Sequence, residues 1–212
     1  MTIAVLAAMS MEAAPLLRRM ENPSGKQFLC GTIGQAQVVL HICGAGMRRA
    51  ANGAKALIEK YHPDLLVNYG VSGGLMPGLH VGDTVIVTSS CPASGKAYRT
   101  EPAVPTDAAL ADFASQALPH AIQAPAATSL GILVNKQRKA RLVAKTGAVC
   151  IDTETYAIAK TARALAIPLL VLRCLSDTVE PASLLRFFQN GAMAAEKIAA
   201  DVEAVLKALM EA

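Results

Sequence analysis

Apolar residues in this chain come in short blocks, each ended by a polar residue or glycine, and the blocks alternate with stretches of helical spacing. Ile3–Ala8 predicts a buried strand closed by Met9-Ser10, then a helix over Ala13–Met20 with Pro15 in its first turn. Gln27–Thr32 and Gln37–Ile42 flank Ile33-Gly34-Gln35 as a hairpin, and Cys43–Gly46 breaks the chain before a helix from Arg48 to Tyr61. Leu65–Tyr69 is a strand running into Gly70–Gly74, a stretch glycine-rich enough to predict a loop. Thr84–Thr88 is a β-branched strand, Cys91–Pro105 a long surface loop, and Asp107 the cap of a helix reaching Leu118. Regular alternation follows: strand Leu130–Val134, helix Asn135–Lys145, strand Ala148–Asp152, helix Thr155–Leu165 and strand Leu169–Leu175. Ser183–Met210 is helical, with a break near Asn190-Gly191 and a core-facing stripe of Ile198, Val202, Val205, Leu206 and Leu209. This order predicts one α/β domain over residues 1–212, with three layers: a mixed, mostly parallel central sheet flanked by helices.

Composition sharpens that picture. With 212 residues, 53% hydrophobic and 4% aromatic, the core is filled by aliphatic side chains and alanine. The longest apolar run, around Ile167–Leu172, falls far short of the roughly 20 residues that span a bilayer. The amino-terminal stretch lacks a basic start and is interrupted by Glu12, so it reads as a first core strand, which predicts a cytoplasmic protein without a membrane partner. Cys30, Cys43, Cys91, Cys150 and Cys174 form an odd set without a CxxC pair and read as small hydrophobes in a reducing compartment. No cluster has metal-ligand spacing, so neither a metal nor another cofactor is expected. The net charge of +4 is dispersed apart from Arg18-Arg19, Arg48-Arg49 and Lys136–Arg141, and none of these carries interleaved aromatics, which argues against a nucleic-acid partner.

In doubly wound sheets ligands bind at the carboxyl ends of the strands. Here that rule selects Met9–Glu12, Cys43–Arg49, Gly70–Gly74, Asp152–Glu154 and Arg173–Asp177. Gly70-Val71-Ser72-Gly73-Gly74 has the letters of a nucleophile elbow, yet no histidine follows the available acids Asp152, Glu154 and Asp177. Gly44-Ala45-Gly46 opens like a dinucleotide fingerprint and fails where Arg49 replaces the third glycine. The Gly70–Gly74 stretch can instead expose backbone N–H groups to a flat base or an anion. Asp152 and Glu154, two residues apart, share one side of a strand by alternation, where an unpaired charge is costly. With Glu12, Arg173 and Asp177 they form a set too large to be helix caps alone.

At these positions the chain resembles the nucleoside phosphorylase/nucleosidase superfamily, and within it the methylthioadenosine/adenosylhomocysteine nucleosidases, nearly end to end. The resemblance is carried by Ile3–Glu12, by Gly70–Leu75 with Pro77–Asp83 behind it, by Asp152-Thr153-Glu154-Thr155-Tyr156-Ala157-Ile158-Ala159, and by Arg173-Cys174-Leu175-Ser176-Asp177. It implies hydrolysis of the N-glycosidic bond of a purine nucleoside, adenine being favoured by Asp rather than Asn at 177. Asp177 would act as the acid at purine N7, positioned by Ser176. Glu154 would bind the ribose, with Asp152 and Thr153 beside it. Glu12, helped by Arg173, would activate water, and Val71, Ser72 and Gly73 would line the base pocket. A homodimer is also implied. Asp152 and Thr153 stand where the nucleosidases usually carry Glu and Met, Val71 where they carry Ser, and Asn135–Arg138 lacks their stacking aromatic. The alternatives are a phosphate-dependent phosphorylase, including the hopanoid-associated type, with Arg48 and Arg49 holding phosphate; a futalosine hydrolase-like enzyme; and a nucleoside-binding sensor that kept the fold without turnover.

Overall fold

Strand β1 (Thr2–Ala7) sends alternate side chains to opposite faces of the sheet, and all of those from Ile3 to Ala7 are fully buried. Ile3, Val5 and Ala7 join one apolar cluster with helices α1 (Ser10–Leu17), α3 (Ala108–Ala117) and α6 (Ser183–Glu211). Ala4 and Leu6 join another, with α2 (Met47–Tyr61) and α5 (Thr155–Ala164). Helices therefore cover both faces of a mixed sheet, the three-layer arrangement the periodicity predicts. The computed structural model describes residues 1–93, 101–131, 133, 135–179 and 183–212.

The remaining elements are β2 (Glu21–Ser24), β3 (Phe28–Ile33), β4 (Ala36–Ile42), β5 (Leu65–Gly74), β6 (Thr84–Pro92), β7 (Val104–Pro105), β8 (Ile122–Thr128), α4 (Lys136–Thr146), β9 (Cys150–Asp152) and β10 (Leu169–Asp177). Parallel pairs run β4–β1–β5–β10 and β6–β8–β9. Antiparallel pairs join β10 to β6 and β9 to β5, so β5, β10, β6, β8 and β9 close on themselves into a small barrel. The β2–β3–β4 meander extends the sheet beyond β1.

Several expectations are corrected. Gly70–Gly74 is not a loop: β5 continues through it, with Gly70 paired to Arg173 of β10 and Gly73 and Gly74 paired to Ile151 and Cys150 of β9. Those glycines answer to close packing, because a Cβ on Gly70 would lie 2.5 Å from Glu12 Oε1. Helix α6 runs unbroken through Asn190-Gly191. There the missing side chain admits Met11, and the Asn190 amide donates to Ser176 O at 3.1 Å. Helix α1 begins at Ser10, so Pro15 is internal rather than in the first turn. Glu12 lies in that first turn, and its carboxylate reaches back to the Met9 N–H as in a capping box. The strand expected at Leu130–Val134 falls earlier, at β8. Leu130 is 79% exposed, while Ile132 and Val134 lie outside the described residues. Of the expected Cys91–Pro105 loop, Cys91 and Pro92 belong to β6 and Val104–Pro105 pairs with Ser89 and Ser90; residues 94–100 lie outside the described set.

Candidate active site

The site is built around a split in the sheet. One edge of β5 is bonded to β10 over most of its length. The other edge is shared, Leu65–Asn68 pairing with β1 and Gly73–Gly74 with β9. Between these partners the ladder opens, and the Val71 N–H donates instead to Glu12 Oε1 at 2.9 Å. A switch of strand partners at the carboxyl end of a parallel pair is where doubly wound sheets place their ligands. Here it opens a cavity of about 410 Å³, a size suited to a small-molecule ligand.

Glu12 is held from several sides. Besides Val71, the N–H groups of Ala8 and Met9 donate to Oε2 at 3.1 and 2.9 Å, and the Tyr69 hydroxyl donates to its backbone carbonyl at 3.0 Å. Burial pushes its pKa up to about 7, against the downward pull of the Val71 and Met9 N–H groups and of Arg173. Such a carboxyl exchanges its proton in the neutral range, as a general base must.

Glu154 is not on the strand with Asp152, as alternation predicts. Strand β9 ends at Asp152, and Glu154 is the N-cap residue of α5. Its Oε1 accepts from Gly46 N at 2.8 Å and from the Thr153 hydroxyl, and its Oε2 from Thr153 N at 3.2 Å. The break at Cys43–Gly46 thus delivers one backbone N–H at the start of α2 to this carboxylate.

Asp152 lines the cavity wall, yet its oxygens are taken by the protein. Arg173 Nε donates at 2.9 Å, the Thr128 hydroxyl at 2.7 Å and the backbone N–H groups of Glu154 and Thr155 at 3.2 and 3.1 Å, with the Thr155 hydroxyl as a fifth donor. Burial opposes its charge, but Arg173 and the Thr155 and Thr128 hydroxyls hold the carboxyl below its ordinary range. Arg173 itself is buried behind the wall, with Nη2 donating to Asn68 Oδ1 at 2.5 Å and to the Thr155 hydroxyl at 2.7 Å. Its charge is felt by Glu12 through space without facing the cavity.

At the opposite end Asp177 closes β10 and faces the cavity, so near Gly73 that a Cβ there would lie 3.0 Å from Oδ1. Ser176 points away, its hydroxyl donating to Ser72 O at 3.3 Å. Val71, Ser72, Gly73 and Thr153 line the cavity as the motifs suggest, whereas Arg48 and Arg49 are exposed outside it, Arg49 lying over Gly44.

One side chain in the wall has no counterpart in the sequence reading. Lys139, on α4, is 2% exposed. Its Nζ lies 3.9 Å from Asp177 Oδ1 and donates to Thr178 O at 3.3 Å. Burial lowers its pKa, and Asp177 opposes that shift. The available signal is helical spacing, since Lys139 sits three residues before Leu142, the apolar anchor of α4.

Residues 2–207 match the sequence profile described as the phosphorylase superfamily. A 5'-methylthioadenosine/S-adenosylhomocysteine nucleosidase of Shewanella halifaxensis is 30% identical over 231 residues, covering 99% of this chain and 100% of its own. The enzyme of the same name from Geobacillus thermodenitrificans is 30% identical over 210 residues, covering 89% of each chain. Among solved structures, the MTA/SAH nucleosidase of Streptococcus pneumoniae in complex with 8-aminoadenine superimposes with a TM-score of 0.91 at 25% identity, covering 98% of this chain and 100% of that one.

Proposed function

This chain belongs to the phosphorylase superfamily, and within it we propose that it hydrolyses the N-glycosidic bond of a purine nucleoside, with adenine nucleosides as the first substrates to test. The observation that carries the reading is the convergence of Glu12, Glu154 and Asp177, from three separate segments, on one cavity at the switch point of the sheet. Asp177 gives a proton to purine N7, so that the C1′–N9 bond breaks with its electron pair leaving on a neutral base. Glu154 holds the ribose hydroxyls and stabilises the positive charge that develops on the sugar. Water adds to C1′ as Glu12 takes its proton. Asp152 and Arg173 serve as scaffold, fixing the start of α5 and hence Glu154.

Water is favoured over phosphate as nucleophile by the charge of the wall. Glu12, Glu154 and Asp177 line the cavity, Arg48 and Arg49 do not, and Lys139 lies at the Asp177 end. A phosphate dianion placed at Glu12 would meet like charge. Incubation with methylthioadenosine or adenosylhomocysteine in phosphate-free buffer therefore releases free adenine, read by chromatography; intact nucleosides would refute the reading.

Two further outcomes follow from Glu12. The pH profile of kcat/KM rises through a limb near pH 7 as Glu12 loses its proton; a profile flat from pH 5 to 8 would remove Glu12 as the base. Gly70→Ala forces the carboxylate away from its backbone donors and lowers kcat/KM by roughly 10²-fold, the cost of about 1 Å of misplacement, while circular dichroism shows the fold retained.

The family resemblance further supports a homodimer in the cytoplasm. Met11 on α1 and Met193 on α6 leave apolar surface exposed on adjoining helices, as a partner-facing surface would. Among the described residues no helix is long and apolar enough to cross a membrane.

A further inference from the structure

We propose that Lys139 reads the 6-position of the base and widens the substrate range from 6-aminopurine to 6-oxopurine nucleosides. The inference rests on the glycosidase reading and deepens it. An ammonium has three donors and no acceptor, and burying one is costly unless it is well paired. Among the described residues Lys139 makes a single hydrogen bond, to Thr178 O at 3.3 Å; at 3.9 Å, Asp177 Oδ1 is an electrostatic neighbour beyond hydrogen-bond reach. Packing of α4 does not explain the charge, because Leu142 on the next turn already anchors that face in the cluster with Leu75, Ala127 and Ile151. The side chain lines the cavity beside Asp177, and among the described residues its remaining donors have no other partner, which leaves them for whatever base Asp177 holds.

The geometry of purines says what that base presents. N7 and the C6 substituent lie on the same edge, where a 6-oxopurine shows two acceptors and a 6-aminopurine an acceptor beside a donor. With N7 at Asp177, the C6 substituent falls to a neighbouring group on the same wall. A 6-amino group donates to the Asp177 carboxylate, whereas a 6-oxo group has nothing to accept from a carboxylate and accepts instead from the Lys139 ammonium. The pair therefore serves both bases, and Lys139 determines specificity without moving the proton itself.

The test compares methylthioadenosine with methylthioinosine, which differ only at C6, in wild-type protein and in Lys139→Met. The wild type hydrolyses both, with kcat/KM values within about tenfold of each other. Lys139→Met lowers the value for methylthioinosine about ten- to hundredfold more than that for methylthioadenosine, the loss of one hydrogen bond to a charged group. An equal fall for both nucleosides would mean a structural role and overturn the proposal. Calorimetric titration of the wild type with hypoxanthine and adenine decides the same point without the variant and without turnover. Affinities within about tenfold support the proposal, and hypoxanthine weaker by more than that overturns it. Absence of turnover with either nucleoside would refute the glycosidase reading and leave the base titration to judge Lys139.

Discussion

Asp177→Asn is expected to lower kcat/KM for adenine nucleosides by roughly 10²–10⁴, the contribution of one general acid, while the protein remains folded. Asparagine has nearly the same volume, so it fits the space that the aspartate fills beside Gly73. It can still offer a hydrogen bond to N7, but it has no proton to give. The base then departs as an anion, and the barrier rises by the stabilisation that protonation supplied. The expected signature is a fall in kcat with little change in KM, because the interaction lost is made chiefly in the transition state. If Asp177 merely terminated β10, activity would stay within a few-fold of wild type.

The second large effect falls on stability. Arg173→Met removes a fully buried guanidinium whose donors reach Asp152, Asn68 and Thr155. Methionine fills much of the volume but leaves the Asp152 carboxylate buried without its counter-charge. Breaking a buried pair from one side costs about 3–5 kcal/mol, a large part of the total stability of a typical domain. Urea unfolding is expected to show a lower midpoint with an unchanged slope, the extrapolated unfolding free energy falling by that amount. Because Arg173 also pulls the Glu12 pKa down, the acid limb of the pH profile moves upward in any folded fraction. A loss below about 1 kcal/mol, the range of an exposed pair, would contradict the assignment of Arg173 and Asp152 as the buried scaffold of the site.

The carboxylates were legible in the sequence because a charge placed between two apolar stretches needs a reason, and the motifs around Glu12, Glu154 and Asp177 supplied one. The same logic misplaced Asp152, whose charge is spent on Arg173 and on its own hydroxyl shell rather than on a ligand. Glycine was the main source of local error. At Gly70 and Gly191 it reads as a breaker, but in the structure each marks where another chain segment comes too close for a side chain, Glu12 in one case and Met11 in the other. Local sequence does not carry that information, since the partners lie far away in the chain. Lys139 was hidden for the opposite reason. Within Lys136–Arg141 it looks like one of several solvated cations, and its burial comes from tertiary contacts, with Leu142 of α4 packed in the cluster with Ile151 and Lys139 itself bonded to Thr178 O just past β10. The closure of the barrel was likewise not readable, because it depends on β5 pairing with three partners.

The most direct test of hydrolysis at this site is to follow methylthioadenosine cleavage with and without inorganic phosphate, resolving free base and sugar product by chromatography. The account predicts adenine and the unphosphorylated sugar at the same rate in both conditions, and neither product from Asp177→Asn above the roughly 10²–10⁴-fold lower residual rate. Base release that requires phosphate and yields a sugar 1-phosphate would contradict it, and would turn attention to Arg48 and Arg49.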